Sequence, residues 1–438
     1  MRHDPSETLK ALGRGDLAGA RELRLPGLRE IPRDLFGLAE TLEVLDVGDG
    51  ELTELPADFG RLRKLRVLFC SGNRFERLPP ALGDCPALSQ MGFRRSHLRD
   101  IPAESLPPRL RWLTLTDNRI EHLPATLGER PLLQKLMLSG NRLSALPASL
   151  AGAERLELIR LSANRFDGLP GWLSESPGLA WASWSGNPFA AAAAALARII
   201  PWREIEIGDN LGEGASGRVH RGLWRDAGGD RTVPVAVKLF KGAMTSDGLP
   251  DSEIDACLAA GEHPNLIGAH GRIDDHPAGD PALLTPLLPE RWRVLAGPPS
   301  AESCSRDVYA PDCRMTPATA LRLARGVAGA TAHLHARGVS HGDLYAHNIL
   351  WDGERGECAL TDFGAASRLP AGASGDAFRR VETRAFGLLL DELLDCCTAA
   401  ENVAGLRQLA TACTQPEVAA RPTMDAVCAE LARYAVEA

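Results

Sequence analysis

The chain has 438 residues, of which 44% are apolar and 24% charged, with a formal net charge of −8. That composition excludes a collagen-like or disordered chain, and the length allows two or three domains. The negative charge argues against nucleic acid as a main partner. The longest apolar stretch, Phe189 to Ala197, is far shorter than the ~18–20 residues of a membrane span. The first sixteen residues lack the apolar core of a signal peptide. Ten Cys without a C-x-x-C pair, and the lack of any N-x-S/T sequon, predict a reducing, intracellular and cytoplasmic setting.

In chain order, the first expected element is an amphipathic N-terminal cap helix within residues 1–19. A Leu-Pro or Ile-Pro dipeptide then recurs with Pro at positions 32, 56, 79, 102, 124, 147 and 170, at intervals of 22 to 24 residues. Asn73, Asn118, Asn141, Asn164 and Asn187 keep the same beat, with Gly50 and Ser96 in two further slots. Each copy reads L-x-x-L-x-L-x-x-N-x-L-x-x-L-P. The L-x-L core has the period of two of a short strand, the Asn side chain can bond turning backbone, and Pro ends the ladder. This array resembles the leucine-rich repeat family over residues 20–200, a stack in which no copy buries its apolar face alone. The run Ala190 to Arg198 reads equally as a C-terminal cap helix or as a linker. In such a repeat the strand's x residues point to the concave face. Phe69, Trp112 and Met137 are therefore the expected anchors for a protein partner, while Trp181 and Trp184 are expected to seal the end of the stack.

The charge balance changes after the repeats. Residues 1–200 carry 26 basic against 24 acidic residues, and residues 201–438 carry 23 against 33. From Ile205 the repeat beat stops, and Gly212-x-Gly214-x-x-Gly217-x-Val219 stands between two strand-like runs, Glu204–Gly208 and Gly217–Leu223. A glycine loop between strands folds over phosphates, whereas a dinucleotide loop opens a helix. Lys238 closes a V-A-V-K strand 21 residues after Gly217, in a chain with only five Lys. Glu253 lies on a predicted helix that precedes His263-Pro-Asn265; Asp255, two residues on, falls on a different face. Next come His341-Gly-Asp343-x-x-x-x-Asn348, Asp362-Phe-Gly364 and Arg421-Pro-Thr423.

These motifs, taken in this order, resemble the eukaryotic-type protein kinase family over residues 202–436, in its variant without Arg before the catalytic Asp. The fold so implied is an α/β leucine-rich-repeat solenoid followed by an α+β bilobal kinase-like domain. The resemblance implies ATP and Mg²⁺ as cofactors and a Ser or Thr acceptor on a protein. Asp343 is the implied base, and Lys238, held by Glu253, the implied phosphate ligand. Asn348 and Asp362 are implied metal ligands. Leu211, Gly212, Gly214, Gly217, Val219, Ala236 and Leu288 are the implied nucleotide contacts, with Thr285 as gatekeeper.

The sequence also departs from the family pattern. Gly342 replaces the Arg that would meet a phosphorylated activation loop, and Tyr345 replaces the Lys of serine/threonine kinases. His347 either supplies a donor or packs. No A-P-E follows Asp362, which leaves Arg421 without its carboxylate, and Glu382 stands where an Asp usually braces the catalytic loop. The loop's candidate phosphoacceptors are Ser367, Ser374 and Thr383. The rival expectations are an ATP-binding pseudokinase scaffold and a small-molecule phosphotransferase.

Overall fold

The structure, a computed structural model, describes residues 5–190, 198–214, 216–225, 232–242, 244–245, 247–398 and 403–434. By packing, the chain divides into two compact units, Met1–Gly178 and Leu179–Ala438.

The first unit opens with helix α1 (Pro5–Gly13) and continues with seven three-residue strands. These are β1 (Glu22–Arg24), β2 (Val44–Asp46), β3 (Val67–Phe69), β4 (Gln90–Gly92), β5 (Trp112–Thr114), β6 (Lys135–Met137) and β7 (Leu158–Arg160). They pair in parallel and in chain order, so that Val67 stands beside Gln90 and Gln90 beside Trp112. The central Leu, Met or Ile of each strand is buried, as its period of two requires. At Pro32, Pro79, Pro102, Pro124 and Pro147 the repeat Pro has a φ between −57° and −70° and opens a short 3-10 turn. At Pro170 the turn is instead a short helix, α2 (Gly171–Glu175).

The Asn ladder satisfies the turning backbone. Asn118 Nδ2 donates to the carbonyls of Phe93 at 2.8 Å and Leu115 at 2.9 Å. Its Oδ1 accepts from the amides of Ser96 and Leu98, both at 3.0 Å. Asn73, Asn141 and Asn164 repeat the two donations to carbonyls and the acceptance from the amide two residues past the Asn slot of the preceding copy, because every copy leaves the same backbone groups buried and needing partners.

The concave columns are less solvated than the sequence suggests. Phe69 is exposed (40%), but Met137 is buried (9%), so Met137 is not available as an exposed anchor. Trp112 is half-buried, with its indole N–H donated to Thr114 Oγ1 at 3.0 Å and Lys135 Nζ lying 4.2 Å from its ring centroid.

The second unit begins with strand β8 (Trp181–Ser183), the last copy of the repeat pattern. The Ala-rich run that reads as cap helix or linker falls mostly on residues 191–197, outside the described residues. Chain leaving that run forms β9 (Ile199–Pro201), followed by β10 (Ile205–Glu213), β11 (Gly217–Arg225), β12 (Thr232–Phe240), β13 (Gly271–Asp274) and β14 (Ala282–Pro286). These six strands form one sheet in the order β10-β11-β12-β14-β13-β9, antiparallel except where β9 joins β13. Helix α3 (Pro250–Ala260) is inserted between β12 and β13. Ile200, Ile205, Trp224, Val235, Val237, Ile273 and Leu284 form the sheet's apolar core.

A mostly helical lobe follows. Its strands are β15 (Arg293–Val294), β16 (Val339–Ser340), β17 (Ile349–Trp351), β18 (Cys358–Leu360) and β19 (Ser367–Arg368). Its helices are α4 (Pro317–Ala336), α5 (Ala373–Asp395), α6 (Ala404–Cys413) and α7 (Met424–Leu431). Thr316 and Thr423 cap α4 and α7 through their side-chain oxygens, which explains the Thr of Arg421-Pro-Thr423 locally. All ten Cys are free thiols, and among the described residues no helix is long and apolar enough to cross a membrane.

Candidate active site

Strand β12 lies inside the six-stranded sheet, and its register sets Lys238 between Val219 of β11 and Leu283 of β14. Pro250 starts α3, and Glu253 sits in its first turn, where the helix dipole favours an acid. Lys238 Nζ and a Glu253 carboxylate oxygen form a buried ion pair, and Asp362 Oδ1 lies 3.9 Å from the same Nζ. Burial would depress the Lys238 ammonium, but the carboxylates of Asp362 and Glu253 outweigh it and raise its pKa. Burial, with the Asp362 charge adding to it, pushes Glu253 up to about 7 against the opposing pull of Lys238. The second carboxylate oxygen of Glu253 is buried with no hydrogen-bond partner among the described residues. Asp255, by contrast, is exposed.

The glycine loop connects β10 to β11. Gly212 pairs with Val219, Gly214 N donates to Gly217 O at 2.9 Å, and Ala215 lies outside the described residues. A Cβ on Gly212 or Gly214 would meet nothing within 4 Å, which leaves open space over this turn. Gly217 is required for another reason: a Cβ there would stand 2.4 Å from the Leu239 carbonyl oxygen. Leu211 is exposed on β10, Ala236 pairs with the buried Thr285, and Leu288 is half-buried just past β14.

Asp343 and Asn348 lie between β16 and β17. Asn348 Nδ2 donates to Asp343 Oδ2 at 2.7 Å and to the Asp343 carbonyl at 2.9 Å. Its Oδ1 therefore remains as an acceptor. The loop is fixed from below by Glu382 of α5, which accepts from Gly342 N at 2.6 Å, Ser340 Oγ at 3.0 Å and His335 Nε2 at 2.7 Å. Burial would raise the Glu382 pKa, yet His335 and the other donors hold it below its ordinary value. Glu382 thus occupies the bracing place noted in the sequence. His347 neither points away nor merely packs. Its Nδ1 is 2.7 Å from the buried Asp307 carboxylate, and its Nε2 is 4.0 Å from Asp343 Oδ2. Burial would lower the His347 pKa, but the hydrogen bond to Asp307 and the Asp343 charge raise it. Asp307 had no motif to announce it; only the fold brings residue 307 beside residue 347.

The strand β18 delivers Asp362, whose Oδ1 accepts from Gly364 N at 3.0 Å. Arg421 is buried, and its Nε donates to the Gln415 carbonyl at 2.7 Å. Burial, with Arg384 adding to it, drops the Arg421 pKa to about 10. Of the three candidate phosphoacceptors, Ser367 and Thr383 are buried and Ser374 is exposed.

The donor set suits a hard divalent cation shared with phosphates. Asp362 offers a half-exposed carboxylate and Asn348 an amide oxygen. No cluster of three or more His, Cys, Asp or Glu able to hold a metal occurs among the described residues. Mg²⁺ needs none, since in nucleotide sites it keeps waters and phosphate oxygens around one or two protein ligands.

Comparison with known proteins agrees with this geometry. The family described as protein tyrosine and serine/threonine kinase matches residues 205–377, and the leucine rich repeat family matches residues 108–166. The chain is 32% identical to human non-receptor tyrosine-protein kinase TNK1 over 184 residues, 40% of this chain and 25% of that protein. It is 28% identical to the probable serine/threonine-protein kinase gdt2 of Dictyostelium discoideum, over 38% of this chain and 9% of gdt2. Activated Cdc42 kinase Ack of Drosophila melanogaster is 28% identical, over 40% of this chain and 15% of its own length. The chain therefore spans a quarter or less of the length of these relatives.

Proposed function

Taking the chain as leucine-rich repeats followed by a protein kinase domain, we propose that it is an ATP-dependent protein kinase acting on Ser or Thr, with repeats that bind a protein partner or substrate. The observation that carries the reading is the assembled charge set: Lys238 paired with Glu253 beside Asp362, and Asn348 bonded to Asp343. Phosphoryl transfer spreads negative charge over the phosphate oxygens, so a protein catalyses it by positioning and by cations.

In this reading Lys238 holds the α- and β-phosphates, and Glu253 keeps its ammonium aimed. The turn from Gly212 to Gly217 covers the phosphates, with Leu211, Val219 and Ala236 against the base and Leu288 offering backbone groups. Asp343 accepts the proton of the substrate hydroxyl, oriented by Asn348. Asn348 and Asp362 would hold Mg²⁺, which when bound neutralises charge between the phosphates. His347, anchored by Asp307 through Nδ1, places its Nε2 4.0 Å from Asp343 Oδ2. On the repeats, Phe69 and Trp112 are the partner anchors; Met137 is withdrawn from that role by its burial.

A second reading, a Tyr acceptor, is favoured by the tyrosine kinases among the relatives. Incubation with γ-labelled ATP, Mg²⁺ and peptides differing only in Ser, Thr or Tyr separates the two, with Asp343→Asn as control. Transfer to Ser or Thr peptides that is absent in Asp343→Asn is expected. Transfer to Tyr alone establishes the second reading. ATP binding without transfer above the control would make the protein a pseudokinase.

A further inference from the structure

The last repeat copy contributes β8 to the second unit, and its two tryptophans are almost fully enclosed there (Trp181 2%, Trp184 1%). A seal requires only apolar bulk. These indoles do more, because each aims its N–H at a backbone carbonyl of a functional segment. Trp181 Nε1 donates to the Leu344 carbonyl at 3.1 Å, and its ring stacks on Tyr345 with centroids 4.2 Å apart and planes within 7°. Leu344 and Tyr345 are the two residues that follow Asp343. Tyr345 passes the contact on, since its ring lies 5.0 Å from that of His347, the residue beside Asp343.

Trp184 holds the opposite wall. Its Nε1 donates to the Arg368 carbonyl and its backbone N–H to Ser367 Oγ, both at 2.9 Å, while its ring packs on Phe378 at 4.4 Å. Ser367 and Arg368 form β19, the short strand after Asp362-Phe-Gly364, which pairs with β16 just before the catalytic loop. Between the two indoles, the Ala182 carbonyl oxygen approaches within 2.7 Å of where a Gly342 Cβ would stand. With the Ala365 carbonyl oxygen at 2.6 Å on the other side, any side chain at the position that usually carries an Arg for a loop phosphate would meet backbone of both segments.

We infer that Trp181 and Trp184 are positioning residues for phosphoryl transfer, clamping the loop that carries Asp343 and the segment that follows Asp362 in place of an Arg–phosphate contact. The inference rests on the kinase reading above. Because small misplacements of a reacting group cost about 10²-fold in rate, the clamp acts on turnover and not on ATP binding.

The test uses the full chain. Trp181→Phe keeps the ring stack and removes the N–H donor; Trp181→Leu keeps apolar burial and removes both; Trp184→Phe removes the donor to Arg368. The expected result is a graded loss of kcat, about tenfold for Trp181→Phe and about a hundredfold for Trp181→Leu, with KM for ATP within about twofold of wild type. Amide hydrogen exchange should quicken over residues 341–348 in Trp181→Leu and over 365–369 in Trp184→Phe, leaving β12 and α3 protected. Unchanged kcat with unchanged exchange in the milder Phe variants would overturn the clamp. So would a parallel loss of kcat and ATP binding with exchange raised throughout the unit, which marks a purely structural role. If the wild type transfers no phosphate, the kinase reading fails by itself, and exchange confined to those two segments, or its absence, still decides the clamp.

Discussion

Gly342 gives the sharpest quantitative prediction, because two separate costs meet at one Cα. Its φ is +71°, and a Cβ there would stand 2.6 Å from the Ala365 carbonyl oxygen and 2.7 Å from that of Ala182. Gly338, four residues earlier, has nearly the same φ of +69° but open space, with nothing within 4 Å of a Cβ. Gly338→Ala should therefore pay only the left-handed backbone cost, about 1–2 kcal/mol. Gly342→Ala adds the displacement of two backbone carbonyls, and overpacking of this kind costs about 1–3 kcal/mol, for a total of about 2–5 kcal/mol. Urea unfolding of the two variants, followed by far-UV circular dichroism, should place the Gly342→Ala midpoint clearly below that of Gly338→Ala. Gly342→Arg, the substitution that would restore the usual motif, should lower both stability and phosphoryl transfer. Equal midpoints for the two Ala variants, or a gain of activity in Gly342→Arg, would refute the close-approach argument.

Lys238→Met should abolish most of the ATP-dependent thermal stabilisation, which at a hundredfold excess over Kd amounts to about 2.7 kcal/mol in the wild type. The variant should still fold, because Glu253, already pushed up to about 7 by burial, takes up a proton once its partner is gone; a collapsed fold would contradict this. Glu382, held below its ordinary value of 4.5, stabilises the fold above that pH and loses the contribution as pH falls through the depressed folded value. The unfolding midpoints of wild type and Glu382→Gln should accordingly differ at neutral pH and converge in acid, and a constant gap would exclude the linkage. Phosphatase-treated protein and Ser374→Ala should retain near-wild-type activity, since Ser367 and Thr383 are buried and Gly342 has no side chain to meet a phosphate; a tenfold drop would show that the loop is switched by phosphorylation after all. Phe69→Ala with Trp112→Ala should lose partner capture in a pull-down while leaving autophosphorylation intact, and an unchanged partner set would remove this surface from consideration.

What the sequence determined by itself is whatever repeats or is local. The 22-to-24-residue beat of Pro and Asn is enough to give parallel strands of one register, because each copy must satisfy the same backbone groups in the same way. The ordered motifs around Lys238, Asp343 and Asp362 likewise identify a kinase domain, since glycine loops and short polar loops carry their chemistry at fixed spacing. Tertiary structure alone decided which large residues are exposed and which are spent on packing. Met137 has the same alternation as Phe69 and is buried; Trp181 and Trp184 have the pattern of a capping strand and reach the backbone around Asp343 and Asp362. Asp307 belongs to no motif, yet it orients His347 across 40 residues of chain. Gly342 reads in sequence as a missing Arg, and in space as the one residue type that fits between two carbonyls. The reason is common to all four: periodicity records the face on which a side chain leaves its own strand or loop, whereas its partners are set by the distant backbone that the fold brings against that face.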